Sequence, residues 1–280
     1  MLNDRDEEIL EAVHRYRYMT ALDICYLLFS PISITHVREI LKELSGNNDN
    51  TATQYLYRFA MPKAKTGNLE RIYAVGSRGR TVLLNKGSPR GYFRPYTLDT
   101  LSYSHLLHAL ALTRVCVSAT YFAKQQAPDV RILTLLSYHY ETPPTPAVIP
   151  DAFILFGLYQ DKFPMLVEID CGTEGQRQFK KGVANRSEYV RNGDYRRAFY
   201  QDAVNICYIV IAESERQRQV RRTTLMRWTM EVLEEQNRQS WGRVFRFAES
   251  GLKEMYSLDL FQKPVWYLPR REKPTYVFGE

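Results

Sequence analysis

Three amphipathic helical stretches followed by two strand-like runs in the first 80 residues, and then apolar strands alternating with helices, predict an α+β and α/β chain. The expected architecture is an N-terminal winged helix-turn-helix followed by a mixed α/β sheet domain covered by helices. The chain has 280 residues, enough for two cores.

Residues 6–18 read as the first helix, with Ile9, Leu10, Val13 and Tyr16 on its apolar side. Thr20 can cap a second helix, ALDICYLLF, in which Leu22, Cys25, Tyr26 and Phe29 recur at helical spacing. Pro31 breaks that run. Ser33 or Thr35 can cap a third helix, THVREILKELS, whose buried stripe is Val37, Ile40, Leu41 and Leu44. Two strands follow, QYLYRFAMP and LERIYAVG, joined by the polar KAKTGN, and GSRGR is expected to end the second of them. Helix, helix, helix and hairpin in that order make a winged helix-turn-helix over residues 1–88.

The stretch 85–100, NKGSPRGYFRPYTLDT, is rich in Gly, Pro and aromatics and suits a domain boundary. A long helix is expected at about 102–124, then the strand VRILTLLS and a Pro-rich loop, TPPTPAV. PDAFILFGLY and FPMLVEID have the apolar density of central strands, split by the turn YQDK. A helix at 174–191, the strand NICYIVIA at 205–212, the helix ERQRQVRRTTLMRWTMEVLEEQ and the strand GRVFRFAE complete a domain at 100–250. Residues 251–280 are expected to be a tail packed on the body through Trp266 and Tyr267.

The net charge is +7, and its placement matters more than its size. Residues 176–227 carry 12 Lys and Arg against 5 Asp and Glu, a surplus as large as that of the whole chain. Such a surplus favours a phosphate backbone as partner. There is no uninterrupted apolar run of about 18 residues, and Met1 to Glu11 is acidic, so neither a membrane span nor a secretory leader is expected. Cys25, Cys116, Cys171 and Cys207 lack paired C-x2-C spacing and read as reduced thiols of a cytoplasmic protein rather than a zinc site.

Two constellations carry chemistry. On the third helix Thr35, His36, Arg38 and Lys42 lie off the apolar stripe, with Lys63, Lys65, Arg71 and Arg78 on or beside the wing; these are the expected contacts to double-stranded DNA. Glu39 and Glu43 offset the charge of that helix, and docking on another protein is the competing use of such a module. The second constellation is acidic. Asp151 opens one strand, and Glu168 and Asp170 close the next, sharing a face because side chains alternate along a strand. Carboxylates gathered at a sheet edge can hold Mg²⁺ and so activate water. In that reading Asp151, Glu168 and Asp170 are the metal ligands and Lys181, on the face of Glu174, stands near the water, with Lys180 as its substitute. The competing reading pairs Glu168 and Asp170 with Lys181 and Arg177, and nothing is catalysed. His105 and His108 lack a third ligand at useful spacing, and the arginines at 216, 218, 221, 222 and 227 form either a DNA-following or a solvated helix face.

PDAFILFGLYQDKFPMLVEID, at 150–170, resembles the core of the PD-(D/E)xK nucleases, in which an Asp after Pro and an acid-x-Lys tripeptide flank a β-hairpin. The N-terminal winged helix, the GSRG turn, the SHLLHALAL helix and the VEIDCGTE segment together resemble the replication-relaxation family over about residues 5–235. That resemblance implies a DNA-binding protein of plasmid or mobile-element replication or transfer, with replication or conjugation proteins and a second copy of the chain as partners. Mg²⁺ would serve a nuclease-like site, and docking on DNA would need no cofactor. Asp151 matches the motif Asp and Glu168 the first acid, but the lysine position is held by Asp170. Either a lysine on the next helix substitutes, or cleavage is lost and an initiator, recruitment factor or regulator remains on a nuclease-like core. Glu141 is a further candidate acid, and Gln178 and Tyr189 lie on the helix edging the site.

Overall fold

A computed structural model describes residues 2–46, 54–60, 70–87, 102–137, 148–271 and 273–278. Lys63, Lys65, the rest of KAKTGN, most of the 85–100 stretch, TPPTPA and Glu141 lie outside the described residues. The chain divides into two compact units, Met1–Thr113 and Arg114–Glu280.

In the first unit α1 (Asp4–Tyr16) begins at a capping box between Asn3 and Asp6 and buries Ile9, Leu10, Val13 and Tyr16. A two-residue strand, β1 (Met19–Thr20), leads into α2 (Ala21–Leu28). Thr20 caps α2 as its position predicts. Its backbone N–H and its hydroxyl both donate to the buried Asp23 carboxylate at 2.7 Å, while its own oxygen accepts the Asp23 N–H at 3.3 Å. A 3-10 turn over Pro31–Ser33 reverses the chain into α3 (Ile34–Ser45), which buries Val37, Ile40, Leu41 and Leu44. Ser33 is its N-cap residue but makes no side-chain cap bond, so the capping hydroxyl expected there plays no such part.

Two strands follow, β2 (Leu56–Ala60) and β3 (Arg71–Val75), and β3 lies antiparallel between β1 and β2. The first unit thus runs helix, strand, helix, helix, strand, strand, the helices preceding the β2-β3 hairpin in the order expected from the sequence. One expectation needs correction: GSRGR does not extend the wing strand but opens α4 (Ser77–Asn85). Glycines 76 and 79 bring that helix close to the start of β2. A Cβ on Gly76 would sit 2.4 Å from the Gln54 carbonyl oxygen, and one on Gly79 2.3 Å from that of Tyr55. Lys86 at the end of α4 pairs with Glu7 of α1.

α5 (Tyr103–Gln125) is the long helix read from the sequence, and the division between the units falls within it. By length and composition alone it could cross a membrane, but 78% of its most apolar window is buried in the fold. The second unit then runs β4 (Val130–Ser137), β5 (Ala152–Leu158), β6 (Asp161–Asp170), α6 (Gln176–Arg191), α7 (Asp194–Phe199), β7 (Asn205–Ile211), α8 (Glu215–Glu235), β8 (Phe245–Ser250) and a short α9 (Asp259–Gln262). Sheet order is β4-β5-β6-β7-β8; β4, β5 and β6 are antiparallel neighbours, and β6, β7 and β8 run parallel. The two-residue turn Tyr159–Gln160 joins β5 to β6.

Both faces of β5, β6 and β7 are covered, which is why these strands read as continuous apolar runs, whereas the edge strand β4 keeps exposed residues such as Arg131 and Leu133. Phe153, Leu155 and Leu166 pack with Phe179 and Val183 of α6 and Leu225 and Val232 of α8. The alternate residue Phe156 meets Phe122 of α5 edge-on, with Phe261 and Phe278 from the C-terminal residues beside it. Trp266 is fully buried and donates its indole N–H to the Leu260 carbonyl, and Tyr267 bridges to Phe247 of β8. After residue 250, Leu260, Phe261, Trp266 and Leu268 thus belong to the second unit's core.

Candidate functional site

The C-terminal end of β6 lies mid-sheet, where antiparallel pairing gives way to parallel pairing, and the acids predicted there converge on it. Asp151, just before β5, donates its backbone N–H to Val167 and accepts the Ile169 N–H on its carboxylate at 2.7 Å. Its side chain therefore ties the entry of β5 to the exit of β6. Glu168 and Asp170 lie two apart on β6 and, with Leu166, point to the layer that holds α6 and α8.

Neither of those acids pairs with the cations expected from spacing. Glu168 accepts from Arg186 Nε of α6 at 2.8 Å. Asp170 takes a two-pronged contact from Arg221 of α8, Nε to Oδ2 at 2.7 Å and Nη2 to Oδ1 at 2.8 Å, and Arg221 Nη2 also donates to the Glu174 carbonyl at 2.8 Å. Distances this short are those of charge-assisted bonds. The Gly172 N–H adds a contact to Asp170 Oδ1. Lys181 lies exposed on α6 and lines an open cleft with Gly175, Gln176, Arg177 and Gln178, while Lys180 pairs with Glu231 of α8 at 2.8 Å.

Electrostatics follow from burial. Glu168 is 8% exposed, and loss of water pushes its carboxyl up to about 7; Arg186 pulls against that shift, and the neighbouring charge of Asp151 adds to it. Arg186 is buried too, which opposes its charge, but the Glu168 carboxylate holds its pKa above the ordinary value. Arg221 is likewise raised, by its hydrogen bond to Asp170 first of all. Burial pushes the Cys171 thiol up to about 12, with Asp170 adding to the effect, so it stays protonated at neutral pH.

This donor set does not fit a hard divalent cation. Such an ion needs carboxylate oxygens turned toward a common point. Here Glu168 and Asp170 turn to separate guanidinium groups on separate helices and Asp151 turns to a backbone N–H. Among the described residues no three His, Cys, Asp or Glu side chains form a group placed to hold a metal, His105 and His108 included.

In the first unit Thr35, His36, Arg38 and Lys42 are all exposed along α3, and Arg71 is exposed on β3. His36 Nε2 is 3.5 Å from Arg5 Nη1. Arg78 sits over the Tyr55 ring, 4.5 Å from its centroid, and donates its backbone N–H to Gln54. A cation not singled out in the sequence joins them: Arg58 of β2 lines a surface cleft with Glu39, Lys42, Glu43 and Gly46. Its signal was its place in the wing strand, opposite the end of α3. The α8 arginines are mostly engaged: Arg218 with Glu254, Arg222 with Glu249, Arg227 with Glu231 and Arg221 with Asp170.

A first unit of helices with a three-stranded sheet and a second unit with a five-stranded mixed sheet, acids gathered at the end of its β6, make a two-unit α and β protein. A family model described as Replication-relaxation matches residues 10–201, and the chain belongs to that family. Among solved structures it is similar to the restriction endonuclease FokI, at 8% identity and a TM-score of 0.30, over 90% of this chain and 42% of that one. The chain thus spans less than half the length of that endonuclease. No curated protein matches it.

Proposed function

We propose that this replication-relaxation protein docks on double-stranded DNA through its first unit, in plasmid or mobile-element replication or transfer, and that its second unit is a nuclease-like scaffold that does not cut. The observation that carries the docking role is α3: a buried stripe of Val37, Ile40, Leu41 and Leu44 on one side and exposed Thr35, His36, Arg38 and Lys42 on the other, presented after a capped α2. A helix so held can enter a major groove, with Arg71 and Arg58 near the backbone beside it. The pairing of the acids with Arg186 and Arg221 supports the non-cutting role of the second unit. Partners among replication or transfer proteins, and a second copy of the chain, belong to the same reading.

Fluorescence anisotropy on a labelled duplex, titrated at several salt concentrations, tests the docking role. Arg38→Ala/Lys42→Ala should weaken binding roughly tenfold or more and reduce the slope of log K against log salt by about 2, because each phosphate contact contributes about 0.9 to that slope. An unchanged affinity and slope in a folded double variant would remove α3 from the interface.

A further inference from the structure

We infer that Arg186 and Arg221 stand in for a cation at the end of β6, making the acid cluster a metal-independent clasp that fastens α6 and α8 to the sheet. The inference goes beyond DNA docking and stands or falls separately from it.

Charge is the first argument. Three carboxylates around one divalent ion leave a net charge of −1, and with Glu168 ionised the three carboxylates Asp151, Glu168 and Asp170 with the two guanidinium groups leave the same. The cluster is therefore neutralised to the same degree without a metal.

Geometry is the second. Arg221 engages both oxygens of Asp170 and then uses Nη2 again on the Glu174 carbonyl, so its planar fork satisfies the strand end and the loop after it together. The side chains of Arg186 and Arg221 are only 16% and 18% exposed. An arginine cannot shed its proton, so a metal ion entering here would have to leave two guanidinium groups charged, displaced and poorly hydrated.

Position is the third. The strand ends on Asp170, and the positive charge that meets it comes from α8, 51 residues further along the chain. The cluster thus receives one cation from each of two helices, α6 and α8, which are also bridged by Lys180 and Glu231. Each pair ties a different helix to the same strand end, as a clasp requires. Arg186 lies over the Tyr208 ring and Arg221 over the Trp228 ring, 5.8 Å and 5.5 Å from the centroids, so both guanidinium groups are also held by packing.

The test is Mn²⁺ binding to the full chain, read from the electron paramagnetic resonance signal of free Mn²⁺, together with urea unfolding in the presence and absence of that ion. The wild type should show no saturable site in the millimolar range and no metal-dependent shift of its unfolding midpoint. Arg186→Gln/Arg221→Gln, with Glu168 and Asp170 released beside Asp151, should be stabilised by Mn²⁺, and the gain should vanish when Asp170→Asn is added. A saturable wild-type site that Asp170→Asn removes would overturn the inference, as would a folded double variant indifferent to Mn²⁺. The wild-type measurement decides even if the double variant does not fold. Duplex binding by the same preparations reads the docking role independently.

Discussion

Arg186→Met is expected to destabilise the protein by about 3 kcal/mol at pH 8 and by only about 1 kcal/mol at pH 5. Glu168 is buried, and its pKa is raised in the fold from 4.5 to about 7. Between those values the folded state holds a proton that the unfolded chain has released. The stability contributed by that proton is complete below about 4.5, falls as pH rises, and is gone above about 7. Arg186 limits this loss, because its guanidinium lowers the cost of the carboxylate that forms. Without it Glu168 must either stay protonated at pH 8 or be charged and alone, whereas at pH 5 only a hydrogen bond is missing. Urea unfolding of both proteins at several pH values gives the difference directly. Glu168→Gln should flatten its share of the pH dependence, and a penalty for Arg186→Met independent of pH would show that the pair does not carry the charge assigned to it.

Gly79→Ala should cost about 3 kcal/mol and abolish duplex binding while leaving the second unit folded. The new Cβ would meet the Tyr55 carbonyl oxygen at 2.3 Å, and Leu10 of α1 closes the space from another side at 3.3 Å. That carbonyl cannot swing away freely because it accepts the Gly76 N–H at 2.8 Å. The clash is with backbone, so no change of rotamer relieves it, and α4 must lift from the start of β2. Circular dichroism melts of wild type and variant would reveal an early transition for the first unit. A variant that melts and binds like the wild type would mean that the approach of α4 to β2 is looser than described.

The parts of the fold legible in the sequence were those with a strong local signal. Thr20 before an apolar helix, the 3–4 spacing of Val37, Ile40, Leu41 and Leu44, and the unbroken apolar runs of β5, β6 and β7 each announce their element. α4 was not legible because GSRGR has the composition of a turn; its glycines serve close packing, which only the neighbouring strand explains. β1 and α7, at two and six residues, are too short to show a period.

Of the candidate site, the acids were legible and their partners were not. Glu168 and Asp170 stand out as charges within an apolar strand, but spacing along the chain pointed to Lys181 and Arg177, whereas the fold brings Arg186 and Arg221. A signal did exist. Arg186 follows Phe179 and Val183 along the buried side of α6, and Arg218, Arg221 and Arg222 continue the stripe of Leu225, Thr229 and Val232 on α8. A cation on the apolar face of a helix calls for a buried acid, and Arg186, Arg221 and Arg222 find theirs at the end of β6 and on β8.

The most direct test of the whole account is to incubate supercoiled plasmid with the purified chain and Mg²⁺, then run it on a gel before and after removing protein. A DNA-docking protein with an arginine-closed cluster should retard the plasmid and return it supercoiled. Nicked or linear plasmid that depends on Mg²⁺, and that disappears with Glu168→Gln/Asp170→Asn, would contradict the account and establish a working nuclease at the end of β6.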